Sequence, residues 1–363
     1  MEPTRLAAER EAALQREAAS WAAPTDPELI PWATEAEIPV LDLGPYFASG
    51  KVDDLEAVAR RLREAADATG FHYVSNHGVP SSLIEEAFDA ARRFHALPAE
   101  QKSRLAMDTL PSKDSEVRAG CGYIETANRK LPAREKANMV AAFIVKREIG
   151  PRDVILDKMP WPDENVLGDA IAGFRATVER YCAAMEALAL RMLPIYAVAL
   201  GLRPGWFDAA FRAPLFRLRL SAYEATPRGE YGINPHVDTS FFTILAPSGP
   251  GLIVQTRTKG NRAWVRAPHK PEAFVINFGE LLAQITNDSW PATRHYALNP
   301  AESAIAHGCD GGTFKHLRFS LPFFFNATPT YPMAVLPTCT DSENPPRYPP
   351  MSYLEGQGVA QGE

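Results

Sequence analysis

A change of hydrophobic period near residue 215 constrains the fold more than any other feature of the sequence. Before it, apolar residues recur at steps of three and four, as they do in helices. After it, short strand-like runs follow one another, separated by Gly, Pro and Asn. We therefore expect an α+β protein with a mainly β core of the jelly-roll kind and flanking helices. The runs are LFRLRLSAY, FFTILAP, GLIVQT, AWVRA, AFVINF and FSLPFFF.

The strongest helical pattern covers about 166–200, where one apolar stripe persists throughout. Pro194 should kink or end this helix, because proline cannot donate a backbone hydrogen bond. Such a stripe is typical of a long helix that supports a core, so we expect the chemistry elsewhere. The stripe consists of Ile171, Phe174, Val178, Cys182, Met185, Leu188 and Met192.

Composition and charge favour a small-molecule partner. The 363 residues carry a net charge of −6 without a block of Lys or Arg, which argues against nucleic acid and against a basic membrane-binding surface. The longest apolar stretches, such as 139–145, are too short to span a bilayer. Residues 1–21 mix Glu with Arg and lack an apolar segment, so we expect neither a signal nor a transit peptide there.

The cysteines indicate a reducing compartment. They are scattered without C-x-x-C spacing, which favours neither a zinc ribbon nor a disulfide framework. We therefore expect a cytoplasmic protein. The cysteines are Cys121, Cys182, Cys309 and Cys339.

A histidine and an aspartate stand two positions apart in the strand-like run INPHVDTSFFTIL. In a strand, His236 and Asp238 would face the same way, and a divalent metal would satisfy both side chains if they pointed inward. Two histidines and one carboxylate form the facial triad of non-haem iron sites. Chance alone gives about 0.4 such triplets in a chain of this size, so the pair needs support.

A third ligand has to come from a later strand. His269 lies in an expected loop between two strands, His307 in a turn-rich insert, and His316 just before the final strand. His295 follows AFVINF and a further segment, far enough along the chain for several strands to bring it back to the pair. We therefore select His295.

Two further pairs with the same spacing suggest a carboxylate-binding set. Arg318 and Ser320 would share one strand face, and Ser221 and Tyr223 another. A guanidinium offers parallel donors, and hydroxyls donate to the remaining lone pairs of a carboxylate. Arg219 and Ser221 form a second R-x-S in the chain, so one of the two matches is incidental.

Together these segments resemble the 2-oxoglutarate- and Fe(II)-dependent oxygenases related to isopenicillin N synthase, over about 38–356. IPVLDL, TGFHYVSNHGVP and FHALPAEQK are similar to the N-terminal region of that family. HVDTSFFTIL and AFVINFGELLAQITNDSWPATRH resemble its metal-bearing core, and RFSLPFFF with PPRYPPMSY its closing segment. The combination is specific, although no single triplet is.

The resemblance implies a double-stranded β-helix enzyme, a non-haem dioxygenase that uses Fe(II), O2 and 2-oxoglutarate, with ascorbate as an aid in vitro. It would hydroxylate, desaturate or cyclise a small organic molecule through a ferryl species and release succinate and CO2. By the resemblance, the metal ligands are His236, Asp238 and His295. Arg318 and Ser320 would hold the distal carboxylate of 2-oxoglutarate, with Tyr223 and Ser221 beside them.

The chain departs from the family pattern at two places. Ser221 to Glu224 stand where the family commonly has Asn-Tyr-Tyr-Pro, and the interval from His295 to Arg318 is unusually long. Some members of the family dispense with 2-oxoglutarate, so an iron oxidase on the same scaffold is an alternative. A non-catalytic jelly-roll binding protein, with an accidental or zinc-binding H-x-D pair, is a further one.

Substrate contacts are expected from residues near the inferred cavity. Arg219 shares a strand face with Ser221, where it would meet either an anionic substrate or a core acid. Tyr123 lies in a segment that often lines the substrate side in the family, and Phe242 and Phe325 are candidates for the wall of the pocket.

The organisation that follows has five parts. We expect an N-terminal helix and linker over 1–37, an N-terminal α/β region over 38–165 and a long helical region over 166–214. The jelly-roll core that binds Fe(II) and 2-oxoglutarate would cover 215–330, and a Pro-rich C-terminal segment and tail would cover 331–363.

Overall fold

A computed structural model describes residues 23–106, 121–125, 138–147, 159–224, 230–256, 263–298 and 317–353. Within these residues, twelve strands form two sheets. The strands are β1 Val40–Asp42, β2 Phe71–Ser75, β3 Gly122–Ile124, β4 Val140–Lys146, β5 Leu215–Glu224, β6 Tyr231–His236, β7 Phe242–Pro247, β8 Leu252–Gln255, β9 Trp264–Arg266, β10 Phe274–Phe278, β11 His295–Leu298 and β12 Leu317–Asn326. The helices are α1 Gly44–Ser49, α2 Val52–Ala68, α3 Ser81–Ala96, α4 Ala99–Ser103, α5 Glu164–Leu167, α6 Phe174–Ala199 and α7 Glu280–Ile285.

The larger sheet has eight strands in the order β1-β2-β10-β7-β12-β5-β4-β3. The β1–β2 pair is parallel, and the other neighbouring pairs are antiparallel. The smaller sheet has the order β6-β11-β8-β9 and is antiparallel. Apolar side chains of β2 and β10 pack against those of β8 and β9, so the two sheets face each other. This arrangement confirms the expectation of a jelly-roll core with flanking helices.

Each strand of the larger sheet presents alternate side chains to the smaller sheet and to the helices, because successive residues of a strand point to opposite faces. We call these the inner and outer faces. The outer face packs in one large core with α2, α3 and α6, and the strands that contribute most to it are β5, β7 and β12. Side chains on the inner face are therefore the ones that can line a cavity between the two sheets.

Helix α6 is the buried support predicted from its apolar stripe. The stripe residues of the helix are all buried. The expected span of 166–200 is shortened at its start, where Gly173 adopts a left-handed conformation with φ of 69° and precedes the first helical turn. Of the two effects expected of Pro194, a kink or an end, the end was wrong, since the helix continues to Ala199. This helix is long and apolar enough to cross a membrane, but 56% of its most apolar window is buried, as in a core helix.

His72 on β2 is the most completely buried titratable group on the outer face. Its ring lies beside Phe278, and neither nitrogen has a hydrogen-bond partner among the described residues. Burial lowers the pKa of His72 to about 3. The folded protein therefore holds this imidazole in its neutral form over the whole range from neutral pH down to the acidic region.

This histidine should make folding sensitive to acid. An unfolded chain protonates His72 below its ordinary pKa while the folded chain does not, so stability is lost as pH falls, by about 2 kcal/mol near pH 5. We expect His72→Leu to flatten the dependence of the free energy of unfolding on pH between about 7 and 5, measured by urea denaturation of metal-free protein. His77→Leu, at a partly exposed histidine, should change the slope less. Equal slopes in wild type and His72→Leu would contradict the assignment.

Candidate active site

Three potential metal ligands meet at the edge of the smaller sheet. His236 is the last residue of β6 and His295 the first of β11, and the two are direct partners in the antiparallel pairing. Their ring centroids lie 4.3 Å apart. Asp238 follows two residues after His236, and one ligand atom from each of the three side chains lies within 4.8 Å of the others. The expectation that Asp238 continues the strand was wrong, because β6 ends at His236.

Hydrogen bonds to the backbone orient both imidazoles. His236 Nδ1 lies 2.8 Å from the Asn234 carbonyl oxygen and His295 Nδ1 lies 3.0 Å from that of Thr293, so each Nδ1 carries the proton. Each Nε2 is then unprotonated and lies near an Asp238 oxygen, at 3.6 Å for His236 and 3.8 Å for His295. These distances are longer than the donor–acceptor distance of a hydrogen bond. Two neutral imidazoles and a carboxylate gathered in this way are the ligand set of a non-haem Fe(II) site.

Asp238 is held by a dedicated set of donors. Its Oδ2 accepts hydrogen bonds from Thr243 Oγ1 and Asn277 Nδ2, both at 2.7 Å, while its Oδ1 faces His236. Burial raises the pKa of this carboxyl group, but the positive charges that His295 and His236 carry when protonated, together with the two hydrogen bonds, outweigh that effect and keep the pKa below its ordinary value. The site therefore holds a carboxylate that is ionised and fixed in orientation.

A close backbone contact fixes the loop that carries Asp238. A side chain at Gly279 would place its Cβ only 1.9 Å from the Ser240 carbonyl oxygen, so glycine is required there. The contact allows Gly279 N–H to donate to the Phe241 carbonyl and Glu280 N–H to donate to the Asp238 carbonyl. The start of α7 is thereby joined to the metal-ligand loop.

The three residues open into a cavity between the two sheets. It contains about 530 Å³ of space not filled by protein atoms, part of it open to solvent. Residues from both sheets line it: Arg219, Tyr223, Ile233, His236, Asp238, Thr243, Leu245, Leu252, Asn277, His295, Tyr296, Ala297, Arg318, Ser320, Pro322 and Phe324.

The predicted carboxylate-binding set lies on the inner face of β5 and β12. Arg318 is opposite Tyr223 and Ser320 is opposite Ser221 in the pairing of these strands. The Arg318 guanidinium lies over the Tyr223 ring at 4.7 Å, and the Tyr223 hydroxyl is 3.1 Å from Ser320 Oγ. Arg318 is buried, its Nε donates to the Gly249 carbonyl, and its Nη1 has no hydrogen-bond partner among the described residues.

Not every predicted substrate contact reaches the cavity. Arg219 lines it. Phe242, Phe325 and Tyr123 do not, because they lie on the outer face in the core with the helices. Phe242 stacks on Tyr196 of α6, and Tyr123 contacts Phe94 of α3. The structure therefore does not support substrate roles for these three residues.

Strand alternation identifies residues that sequence reasoning missed. Arg318 and Ser320 share their face with Pro322 and Phe324, so Phe324, not its neighbour Phe325, lies in the cavity. The same rule was available from the sequence. Thr243 and Asn277 were also missed, since their importance depends on which strands lie beside Asp238. Of the histidines set aside, His269 lies in the loop after β9, and His307 and His316 lie outside the described residues.

Comparison with known proteins identifies the family. Residues 38–164 match the family model described as "non-haem dioxygenase in morphine synthesis N-terminal", and residues 214–327 match that of the 2OG-Fe(II) oxygenase superfamily. Together the two matches cover well over half of the chain. The protein belongs to the 2-oxoglutarate- and Fe(II)-dependent oxygenases. Its cofactor is Fe(II), its co-substrate is 2-oxoglutarate and its activity is that of a dioxygenase.

Individual relatives agree with this assignment. The 2-oxoglutarate-Fe(II) type oxidoreductase hxnY of Emericella nidulans is 26% identical over 86% of this chain and 86% of its own. Jasmonate-induced oxygenase 2 of Arabidopsis thaliana is 26% identical over 91% of this chain and 80% of its own. The structure of a full-length Neurospora crassa protein in complex with α-KG and thymine, at 21% identity, superposes with a TM-score of 0.74 over 89% of this chain and 96% of that one. This last likeness supports the double-stranded β-helix fold.

Thr243 should influence metal binding through Asp238. We expect Thr243→Val, which keeps the shape but removes the hydroxyl donor, to weaken Fe(II) binding by roughly 10-fold. Anaerobic calorimetric titration with Fe(II) measures the effect. Thr243→Ser keeps a hydroxyl and should bind nearly as the wild type does. An unchanged affinity in Thr243→Val would show that the hydrogen bond does not orient the carboxylate for a metal.

Proposed function

We propose that the protein oxidises a small organic molecule at a metal centre held by His236, Asp238 and His295. The observation that carries this proposal is the convergence of the three ligand atoms at the wall of a cavity that also contains Arg318. The two Nε2 atoms and Asp238 Oδ1 would be the ligand atoms. Three protein ligands leave further coordination positions of Fe(II) for the co-substrate and O2.

The residues present fit Fe(II), because both tautomers and the carboxylate are fixed before any metal binds. When bound, Fe(II) with 2-oxoglutarate and O2 supplies the oxidising power of the reaction, and succinate and CO2 are released. The protein supplies the arrangement. Its ligand residues come from a hydrogen-bonded strand pair and from a loop fixed by Gly279, so the metal position would be set relative to the cavity walls.

Arg318 is suited to the distal carboxylate of 2-oxoglutarate. Its unpartnered Nη1 is buried, and a buried guanidinium without an acceptor gains strongly from a carboxylate. The hydroxyls of Ser320 and Tyr223 lie on the same side and can donate to that carboxylate. Ser221, opposite Ser320 in the strand pairing, supports this set from β5 without lining the cavity.

The apolar part of the cavity would hold the substrate. Ile233, Leu245 and Phe324 line it beside the metal ligands and would shield the reacting carbon of a bound substrate from water. The reaction would be hydroxylation, desaturation or ring closure at a C–H bond. The relatives support a small molecule as substrate, since the Neurospora crassa protein has been crystallised with thymine and a further relative, JOX2, with JA.

Loss of the guanidinium should weaken 2-oxoglutarate binding. We expect Arg318→Met to raise the KM for 2-oxoglutarate by about 10- to 100-fold, because a charge-assisted hydrogen bond in a buried site is lost. Arg318→Lys keeps the charge without the fork and should have an intermediate KM. Succinate formation at varied 2-oxoglutarate concentration gives the values. A wild-type KM in Arg318→Met would exclude this residue as the co-substrate anchor.

Succinate formation also tests the function as a whole. With Fe(II), ascorbate, 2-oxoglutarate and O2, we expect the wild type to form succinate slowly even without substrate. Asp238→Ala should lose both Fe(II) binding and succinate formation, because the carboxylate ligand is removed. Asp89→Ala, at an exposed carboxylate on α3, should retain both. Oxygen uptake without succinate would contradict the proposal and favour an oxidase that does not use 2-oxoglutarate.

A further inference from the structure

We infer that the substrate is a small, largely apolar carboxylic acid whose carboxylate pairs with Arg219. This inference rests on the proposed function and names its substrate class. Arg219 lies in the middle of β5, between β4 and β12, with its side chain in the cavity. It is thus attached to a strand that is paired on both sides, and its side chain lines the space that the substrate would occupy.

Arg219 lacks an acceptor within the described part of the chain. Its Nε is completely enclosed and makes no hydrogen bond. Its guanidinium lies over the Phe324 ring at 5.2 Å, which holds one face of the group and leaves its donor edge for a ligand. Asp238 is close enough to interact electrostatically, but its oxygens are engaged by Thr243, Asn277 and the two histidines.

The charges in the cavity leave one cation unbalanced. Fe(II) and the dianion 2-oxoglutarate cancel each other, and Asp238 cancels one of the two arginines. The other arginine remains uncompensated in a mostly enclosed site, which is unfavourable until an anion pairs with it. Arg217, on the same face of β5, and Lys146, opposite Arg217 on β4, are further cations, but they lie outside the cavity lining and do not enter this balance. A monoanionic substrate would complete the charge balance.

One 2-oxoglutarate molecule does not account for both arginines. Arg318 is opposite Tyr223 in the strand pairing, and Tyr223 is four residues from Arg219 along β5. At the rise of a β-strand, the attachment points of the two guanidinium groups are roughly 13 Å apart along the sheet. If Arg318 takes the distal carboxylate of the co-substrate, Arg219 is available for a second carboxylate.

The surroundings of Arg219 favour a carboxylate attached to an apolar body. Phe324, Pro322, Leu245 and Ile233 form apolar walls around the same space. A single planar guanidinium matches a planar carboxylate with two parallel hydrogen bonds. Pairing at Arg219 would fix one end of the substrate and direct the remainder toward the metal ligands.

Matched acids and amides test the inference. The probes are phenylacetate, 3-phenylpropionate and hexanoate, each with its primary amide, added to the anaerobic protein loaded with Fe(II) and 2-oxoglutarate. Perturbation of the visible absorption of that complex gives the dissociation constants. For at least one pair we expect the acid to bind the wild type about 10-fold or more tightly than its amide, as loss of a charge-assisted pair predicts.

Variants assign the preference to one residue. Arg219→Met should abolish the preference for the acid while leaving the affinity for 2-oxoglutarate unchanged, and Arg219→Lys should keep part of the preference. Arg266→Met is the matched control, because Arg266 also has an enclosed Nε and a cation–π contact, at 4.3 Å to Trp32, but lies outside the cavity lining. This control should behave as the wild type.

The outcomes separate this inference from the proposed function. Failure of the Fe(II) and 2-oxoglutarate complex to form would overturn both. Formation of the complex with equal affinity for acids and amides would overturn the inference alone, and this test needs no variant. Loss of 2-oxoglutarate affinity in Arg219→Met would reassign Arg219 to the co-substrate. Tighter binding of phenyl phosphate than of the three acids would replace the carboxylate by a phosphate.

Discussion

The buried Asp238 carboxylate is the constraint on which the site depends. A carboxylate with only 5% of its surface exposed is unfavourable unless positive charge and hydrogen bonds stabilise it. Here β7 and β10 each supply one donor, and two strands of the other sheet supply the imidazoles. The Nε2 atoms of the two histidines are too far from the carboxylate to donate hydrogen bonds to it, so a cation bound between the three side chains would supply the remaining stabilisation. Both sheets thus contribute side chains that surround one ionised group. The cavity between the sheets leaves the side of the carboxylate that faces the histidines accessible.

Much of the fold was predictable because it depends on local periodicity. The six runs after residue 215 became β5, β7, β8, β9, β10 and β12, and the apolar stripe became α6. Of the two effects expected of Pro194, the end of α6 did not occur, since the surrounding core outweighs the loss of one helical hydrogen bond. The domain boundaries and the cytoplasmic location stay predictions. Family membership confirmed the resemblance that the separate motifs indicated.

At the site, the alternation of residues within one strand predicted which side chains share a face, but the sequence did not show which strands are neighbours. His236, Asp238, His295, Arg318 and Arg219 were selected from the sequence, and the structure brings them to one cavity. Phe325 was selected against the alternation that Arg318 and Ser320 define, whereas Phe324 obeys it. Thr243 and Asn277 became recognisable only from the register of β7 against β10, which brings two residues 34 positions apart to the same carboxylate. Such pairings depend on the whole topology, and no local pattern encodes them.

The contact between Gly279 and Ser240 connects distant parts of the chain. Beyond α7, the C-terminal segment is tied to the same helix, since Leu336 N–H donates to the Ile285 carbonyl and Arg347 and Tyr348 bind Asp288. The loop that carries Asp238 is thus connected through α7 to residues more than ninety positions further along the chain. Removal of the tail would delete these contacts at the end of α7 and so reduce the order of the loop that carries Asp238, although no described residue of the tail touches that loop's carboxylate. The closing segment of the chain is thus held against the end of the helix whose first residues contact the Asp238 loop.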